Sequence, residues 1–266
     1  MFDQPVDIER CRDCGCVFRD RRHVPVDVEQ FYRRASYPLA AAERLRDKTL
    51  ADLNAESGRL ARLGCRPGAR LLEVGSYVGA FLDFARRAGC DAVGVDLNEN
   101  LADWCRDRGH DVQTAPFTAE LFPEKRFDGV WILNCFEQLS DLDQVVQDAH
   151  DVLGPGGRLI IRTPNASFVE RAHGRGFLPL RRVADANAVL GVPYRRCLTP
   201  SAIRLLLARH GFRDVGVRGR EFSSLAPENW PSSWAAWRKP RLAAYTAASV
   251  ICGEMIHPWL EVVATR

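Results

Sequence analysis

Short apolar runs alternate with stretches of helical periodicity along the middle of the chain. The runs are RLLEVG, DAVGVD, DVQT, FDGVWIL and GRLIIRT, and the helical stretches between them are residues 80–88, 99–108 and 141–153. Runs of this length, separated by helices, are typical of parallel strands that are buried on both faces and joined by right-handed crossovers. The pattern therefore predicts an α/β fold with a mostly parallel sheet and helices on both faces.

Different patterns flank this alternating region. Apolar residues recur at helical spacing over residues 38–63, which predicts an N-terminal helical cap. Beyond a Gly/Arg-rich insertion, a helix is predicted from Thr199, its N-cap, to Gly211, with Pro200 in the first turn. The segments FRDVGVRG and PWLEVVATR are predicted strands that complete the sheet.

Composition narrows the class of protein. The chain has 266 residues, 46% of them hydrophobic, which is enough to bury a full core. Its 37 basic residues are balanced by 34 acidic ones, so the charge does not indicate a nucleic-acid partner. The charged start, MFDQPVDIERCRDC, does not resemble a signal peptide, and the apolar stretch LAAYTAASVICGEMIHPWL is interrupted by polar residues and proline. We therefore expect a cytoplasmic protein, not bound to a membrane, with reduced cysteines.

Two predicted strands end in acidic residues. The first ends at Glu73 and leads into a turn with Gly75 and Gly79, where a side chain would occupy the space through which a ligand approaches the main chain. The glycine spacing is not G-x-G-x-x-G, which argues against a dinucleotide. The second strand ends at Asp96, 21 residues after Gly75, where a carboxylate can accept hydrogen bonds from both ribose hydroxyls. The two strand ends predict a ligand that carries a ribose.

Four segments resemble the successive motifs of one known family. They are LLEVGSYVGAFL, VGVDLN, FDGVWILNCFEQLSD and DVLGPGGRLIIRTPN. In this order and spacing they resemble the class I S-adenosylmethionine-dependent methyltransferases, and most of all the branch of ubiquinone-type O-methyltransferases and sugar C-methyltransferases. The resemblance covers residues 69–165 well and the closing segments more loosely. It implies a Rossmann-like class I methyltransferase sheet whose last strand is antiparallel.

Together, the periodicity and the resemblance divide the chain into four parts. These are a cysteine-containing N-terminal segment (1–30), a helical cap (31–68), a cofactor-binding core (69–165), and a part that completes the sheet and the substrate pocket (166–266).

The resemblance also implies an S-adenosylmethionine site at the strand ends. The implied cofactor-binding residues are Glu73, Gly75, Ser76, Tyr77 and Gly79 at the methionine end, Asp96 at the ribose, Leu97, Ala115 and Phe117 at the adenine, and Asn134 beneath the sulfonium. Two of them have alternative structural roles. Glu73 could instead be a salt-bridged strand end, and Asp96 could be a helix N-cap.

The proton-handling position departs from the relatives. Where that branch has a Glu-His pair after the fourth strand, this chain has Glu137 and Gln138, and glutamine cannot act as a base. In the metal-assisted subset an acid stands where this chain has Asn134, so the sequence does not favour that mechanism. The candidate catalytic residues are Glu137, Tyr194, near the place of a histidine in relatives, and His173 in the insertion. A packing tyrosine and a solvated loop histidine are the alternatives for the last two.

The first cysteines form a C-x-x-C-G turn of the kind that binds zinc. Cys11 and Cys14 resemble the second half of a zinc ribbon that some relatives carry, and they are the predicted metal ligands. Tetrahedral zinc needs four ligands, and Cys16 and His23 could supply the other two. The alternative is a remnant that binds no metal.

The resulting hypothesis is a methyltransferase that moves a methyl group from S-adenosylmethionine to an oxygen, carbon or nitrogen atom of a small molecule, with S-adenosylhomocysteine as the product. A natural-product, sugar-nucleotide or phenolic intermediate could be the acceptor. A non-catalytic protein that binds the cofactor, or that interacts with others through zinc, is the alternative. A nicotinamide oxidoreductase does not fit the glycine spacing. The sequence leaves the oligomeric state open, with a homodimer as one alternative.

Overall fold

A computed structural model describes most of the chain. The described residues are 8–19, 28–35, 39–123, 126–168, 195–220 and 257–266, together with 244, 247 and 249. The strands are β1 (Ile8–Arg10), β2 (Val17–Arg19), β3 (Arg70–Val74), β4 (Asp91–Asp96), β5 (Asp111–Thr114), β6 (Phe127–Leu133), β7 (Leu153–Pro164), β8 (Arg196–Cys197), β9 (Arg213–Arg220) and β10 (Trp259–Thr265). The helices are α1 (Val28–Arg34), α2 (Leu39–Ala55), α3 (Ser57–Arg62), α4 (Ala80–Arg87), α5 (Glu99–Arg106), α6 (Leu142–Val152) and α7 (Pro200–Arg209).

Seven strands form the main sheet, in the order β5-β4-β3-β6-β7-β10-β9. Strands β3 to β7 pair in parallel, and β10 runs antiparallel to both of its neighbours. This confirms the predicted α/β class and the antiparallel last strand. The chain builds outward from β3 to β5 and then returns to β6 on the other side of β3, so a topological switch point lies at β3. Open sheets of this kind bind ligands at the carboxyl ends of the strands beside such a point.

The core lies in two layers, one on each face of the sheet. Leu72, Ile132 and Ile161 belong to the layer covered by α6 and α7. Leu71 and Trp131 belong to the layer covered by α2, α4 and α5. Because successive side chains of a strand point to opposite faces, strands buried on both faces need continuous apolar runs. This is the physical reason why the alternating apolar runs of the sequence correspond to the central strands.

Two helices form the predicted helical stretch of the N-terminal cap. The chain leaves helical geometry at Glu56, between α2 and α3, with φ −104° and ψ 9°. The carboxylate of Glu56 accepts hydrogen bonds from Arg162 of β7 and Arg220 of β9. These contacts with distant strands accompany the break, and helical periodicity carries no information about them.

Side-chain caps start three of the helices that flank the sheet. Thr199 Oγ1 accepts a hydrogen bond from Ala202 N at 3.1 Å, and Pro200 occupies the first turn of α7, as predicted. Asn98 caps α5 and Asp141 caps α6 in the same way. Each cap satisfies a main-chain donor that the helix leaves without an intrahelical partner.

A small second sheet contains the first cysteines. Strands β1 and β2 form an antiparallel hairpin, and β2 pairs with β8, which directly precedes the cap of α7. Thr199 Oγ1 also donates a hydrogen bond to Cys14 O at 2.7 Å, so the hairpin is bound to the start of α7. No helix in the described part of the chain is long and apolar enough to cross a membrane.

Candidate cofactor site

The turn after β3 is held against β4 by main-chain hydrogen bonds. Gly75 N and Ser76 N both donate to Val95 O, at 2.8 Å and 3.2 Å, and Gly79 N donates to Ser76 O at 2.8 Å. The turn therefore lies at the carboxyl ends of β3 and β4, which is the edge where the topology predicts a ligand.

Both glycines of the turn are required by their conformation and by their neighbours. Gly75 has φ +76° and Gly79 has φ +68°, a region that residues with a side chain rarely adopt. A Cβ atom would lie 2.7 Å from Cys135 Sγ at Gly75 and 2.9 Å from Cys105 Sγ at Gly79. The sequence predicts that a ligand needs the space at these glycines, whereas the contacts observed there are with sulfur atoms of the protein.

The carboxylate of Asp96 faces the glycine turn. Its Oδ2 accepts a hydrogen bond from Tyr77 N at 2.7 Å, and its Oδ1 accepts one from Asn98 N at 2.8 Å. Tyr77 takes φ +47°, an uncommon conformation for tyrosine, and so presents its N–H to Asp96. The alternative role of Asp96 as a helix N-cap is wrong, because Asn98 caps α5. Each carboxylate oxygen can accept a second hydrogen bond, so Asp96 retains acceptor capacity for a ribose.

Glu73 is a buried acid that forms no salt bridge with any residue in the described part of the chain. Its side chain is 5% exposed, and its Oε2 has no hydrogen-bond partner among the described residues. Burial, and then repulsion from Asp96, raise the pKa of Glu73 well above its usual value. A buried carboxylate of this kind is costly unless a cation or a donor completes it. The site therefore fits a ligand that brings an ammonium group close to a ribose.

Two further predicted residues carry polar atoms without partners. Among the described residues, the buried Ser76 Oγ and Asn134 Oδ1 have no hydrogen-bond partner. Asn134 follows β6 directly, takes φ +63°, and is fixed by a hydrogen bond from its N to Arg162 O at 2.9 Å. With Glu73, these atoms form an incompletely paired polar set at the ends of β3 and β6.

The predicted adenine residues lie around the end of β5. Ala115 N donates to Asp96 O at 3.1 Å, and both Ala115 and Leu97 are half-buried. Phe117 is 8% exposed and packs in the core with Phe122. Contact of these three residues with an adenine stays a prediction.

Glu137 lies in a short 3₁₀ turn, Phe136–Gln138, after β6. Its side chain is 1% exposed, and its oxygens accept hydrogen bonds from Thr163 Oγ1 at 3.0 Å and from Gln138 Nε2 at 3.3 Å. Burial raises the pKa of Glu137 to about 7, and these hydrogen bonds oppose the rise only partly. The other two candidate catalytic residues, Tyr194 and His173, lie outside the described residues.

The cysteine hairpin has the geometry of a tight knuckle. Cys11 N donates to Cys16 O at 2.8 Å, and Gly15 N donates to Cys11 O at 3.1 Å. Hydrogen bonds from the main chain of Cys14 and Asp13 lower the pKa of the Cys11 thiol. Within the described residues no group of three or more His, Cys, Asp or Glu side chains is placed to hold a metal ion. His23 lies outside those residues, and metal binding by Cys11 and Cys14 stays a prediction.

Sequence reasoning missed two residue types at this site. The sulfur atoms of Cys105 and Cys135 beneath the glycines are brought there by contacts between separate elements, which no local pattern signals. Asn98, in contrast, stands immediately before a predicted helix, and an asparagine in that place is a recognisable N-cap.

The strand order, the glycine turn after β3 and the acid that ends β4 together define the architecture of a class I methyltransferase. Residues 42–217 match a protein family described as "Methyltransferase domain", and the chain belongs to this family.

Curated relatives and solved structures agree with this assignment. The chain is 30% identical to C-methyltransferase NovU of Streptomyces niveus over 167 residues. This match covers 60% of this chain and 38% of NovU. It is 24% identical over 172 residues to a ubiquinone biosynthesis O-methyltransferase of Brucella anthropi, which covers 62% of this chain and 68% of that protein. A SAM-dependent methyltransferase from Archaeoglobus fulgidus shares the fold, with a TM-score of 0.58, 19% identity, and coverage of 87% of this chain and 100% of that one. The match to NovU thus spans well under half of NovU's length.

Proposed function

We propose that this protein transfers a methyl group from S-adenosylmethionine to an oxygen, carbon or nitrogen atom of a small-molecule acceptor, and releases S-adenosylhomocysteine. The observation that carries the proposal is the buried carboxylate of Glu73. Its Oε2 has no partner among the described residues, and it lies next to the turn that Asp96 holds in place. An ammonium group next to Glu73 and a ribose at Asp96 would complete both acids with one ligand.

The protein has little covalent chemistry to perform in this reaction. When bound, S-adenosylmethionine would supply an activated methyl group on a positively charged sulfur. Glu73 and residues 75–79 would hold the methionine end, and Asp96 would fix the ribose. The remaining tasks of the chain are to align the acceptor, to exclude water and, where the acceptor requires it, to remove a proton.

Glu137 is our candidate for proton removal. Burial places its pKa at about 7, close to the value at which a general base is most effective at neutral pH. Its two hydrogen bonds fix the orientation of its carboxylate. Tyr194 and His173 are the further candidates.

The acceptor is proposed to be a natural-product, sugar-nucleotide or phenolic intermediate. The name of one relative, a ubiquinone biosynthesis O-methyltransferase, supports a small-molecule acceptor, and that of another, a C-methyltransferase, supports carbon as one of the possible methylated atoms. A cytoplasmic location and zinc binding by Cys11 and Cys14 are further predictions.

Calorimetry and a transfer assay test the proposal. We expect the purified chain to bind S-adenosylmethionine and S-adenosylhomocysteine but not NAD. With isotopically labelled S-adenosylmethionine, we expect label to appear in at least one member of an acceptor panel that includes phenols, quinone precursors and sugar nucleotides. Binding of NAD in place of S-adenosylmethionine would overturn the proposal. Binding without transfer to any acceptor would favour the alternative of a non-catalytic cofactor-binding protein.

A further inference from the structure

The side chain of Asn98 joins two separate parts of the protein. Its Oδ1 accepts a hydrogen bond from Leu101 N at 3.1 Å and so caps α5. Its Nδ2 donates to Tyr32 O at 2.9 Å and to Ala35 O at 2.8 Å, at the end of α1. Asn98 itself is 1% exposed, whereas its two acceptor residues are half-buried. The amide of Asn98 thus donates to two main-chain carbonyls at the end of α1, one of which, Tyr32 O, also accepts from Ala35 N at 3.4 Å.

The other end of α1 is attached to a different strand end. Ser140 follows β6 and the 3₁₀ turn, and its hydroxyl donates a hydrogen bond to Glu29 Oε1 at 3.1 Å. Arg196 Nη2 donates to Ser140 O at 3.1 Å and so fixes this loop to β8. Helix α1 is therefore held at the end of β4 through Asn98 and on the side of β6 through Ser140.

These two attachments lie beyond the ends of β4 and β6, the two neighbours of β3. Strand β3, with its glycine turn, lies between β4 and β6 in the sheet. Two strand spacings amount to about 9.5 Å. The six residue steps from Glu29 to Ala35 span about 9 Å at helical rise. The segment from Glu29 to Ala35 is thus about as long as two strand spacings.

We infer that α1 is a strap over the proposed S-adenosylmethionine site and that Asn98 is a positioning residue that holds the strap closed. The inference rests on the proposed function, because it assigns the strap to the cofactor of that reaction. Asn98 N also donates to Asp96 Oδ1 at 2.8 Å, so one residue contacts both the strap and the carboxylate proposed to hold the ribose. Movement of Asn98 would disturb both contacts, which couples closure of α1 to retention of the cofactor.

The residue type at position 98 makes the inference testable. Aspartate and serine cap helices about as well as asparagine, but neither can both accept from Leu101 N and donate to two carbonyls. N98D and N98S therefore keep the cap of α5 and remove the hydrogen bonds to α1. D141S is the matched control, because it exchanges the N-cap residue of α6, whose cap bond to Gln144 N does not involve α1.

The measurement is the dissociation rate of S-adenosylhomocysteine, followed by stopped flow. Two lost hydrogen bonds predict a rate about tenfold higher in N98D and N98S. We expect KM for S-adenosylmethionine to rise by a similar factor while kcat stays within about twofold, because the acceptor side is unchanged. D141S is expected to release the product at the wild-type rate. Wild-type release rates in both N98D and N98S would overturn the inference.

Hydrogen exchange of the wild-type protein provides a test that does not depend on a variant. We expect amides of residues 28–35 to exchange more slowly when S-adenosylhomocysteine is bound, and this protection to be lost in N98D. Binding without any slowing in the wild type would overturn the strap. A wild-type protein that does not bind S-adenosylhomocysteine at all would instead overturn the proposed function, so the two failures are distinguishable.

Discussion

Two groups of buried acids in this protein differ in how their charge is completed. At the ends of β3 and β4, Glu73 lies near Asp96, and no cation of the described residues pairs with it; burial and Asp96 raise its pKa. On the side of β7, β9 and β10, Glu261 is even less exposed, at 1%, yet its pKa is lowered. Burial alone raises the pKa of both acids, so the difference comes from the partners that the chain provides.

The partners of the second group are three arginines. Glu261 accepts hydrogen bonds from Arg59, from Arg162 Nε at 3.3 Å and from Arg220 Nη1 at 3.0 Å. Glu56 also accepts a hydrogen bond from each of these three arginines. This arginine cluster binds α3 to β7, β9 and β10. Buried charge that the chain completes itself holds elements together, whereas buried charge left incomplete marks a place for a ligand.

The largest effect is expected from removing the acid that ends β4. D96A eliminates the proposed acceptor for the ribose hydroxyls and also removes the hydrogen bond from Tyr77 N that holds the turn. We predict that the affinity for S-adenosylmethionine falls by about a thousandfold, which corresponds to about 4 kcal/mol. Titration calorimetry measures the change. D91A is the matched control, because Asp91 is an exposed residue at the opposite end of the same strand. Near-normal binding of S-adenosylmethionine by D96A would contradict the conclusion that the acids at the ends of β3 and β4 form a ligand site.

The arginine cluster is expected to affect stability instead of binding. E261Q leaves the buried guanidinium of Arg162 without part of its compensating charge. We predict a loss of about 3 kcal/mol in the free energy of unfolding, measured by denaturant titration. In E43Q, which alters an exposed ion pair with Arg108, we expect a change below about 0.5 kcal/mol. Equal effects of the two substitutions would remove the distinction between the cluster and a surface pair.

The same cluster predicts how stability responds to acid. Burial alone would raise the pKa of Glu56, but hydrogen bonds from Arg220 and Arg59 outweigh it and lower the pKa to about 2. A carboxylate whose pKa is depressed by folding stabilises the folded state above its unfolded pKa, and this contribution is lost as pH falls towards the folded value. The wild type should therefore lose stability between about pH 4.5 and pH 2, and E56Q should show a smaller loss in that range.

Glu137 tests whether a buried acid outside both groups takes part in the chemistry. We predict that E137Q binds S-adenosylmethionine normally and turns over about a hundredfold more slowly. A base must be deprotonated to act, so wild-type kcat should rise as pH increases through about 7. E120Q, at an exposed position, is the control. Normal turnover by E137Q would exclude Glu137 as the base and direct attention to Tyr194 and His173.

The smallest expected effect has opposite signs for binding and for stability. A carboxylate whose pKa is raised by folding favours the folded state below its unfolded pKa and loses that contribution as pH rises through the folded value. E73Q removes the unfavourable burial of a charged carboxylate. We therefore predict a gain of about 1 kcal/mol in the free energy of unfolding at neutral pH. The affinity for S-adenosylmethionine should fall by about tenfold, because an ammonium group would lose its carboxylate. Thermal melts and calorimetry on the same sample measure both changes. Loss of stability in E73Q would mean that Glu73 already has a partner in the free protein.

Much of the fold could be predicted because local periodicity carries it. The apolar runs predict the central strands, and Thr199 followed by Pro200 predicts the start of α7, because a cap depends on only a few neighbouring residues. The break at Glu56 could not be predicted in this way, since it involves arginines more than a hundred residues further along the chain. The sulfur atom beneath Gly75 and the attachment of α1 to Asn98 likewise depend on contacts between distant segments.

The candidate site also contains some features that local sequence predicts and others that depend on contacts between distant segments. Glu73 and Asp96 lie at the ends of recognisable strands, and Gly75 and Gly79 follow the first of them, so their common location could be predicted from topology. The hydrogen bond from Tyr77 N to Asp96 could not be predicted in this way, because it depends on how the turn after β3 packs against the end of β4.

The position of β10 has a consequence for how the chain is made. This strand lies between β7 and β9, although both are synthesised before it. Until residues 259–265 leave the ribosome, the facing edges of β7 and β9 are open, and open edges pair readily with other chains. We therefore expect the nascent protein to be most prone to aggregation before β10 inserts, and chaperones that shield strand edges to matter most at that stage.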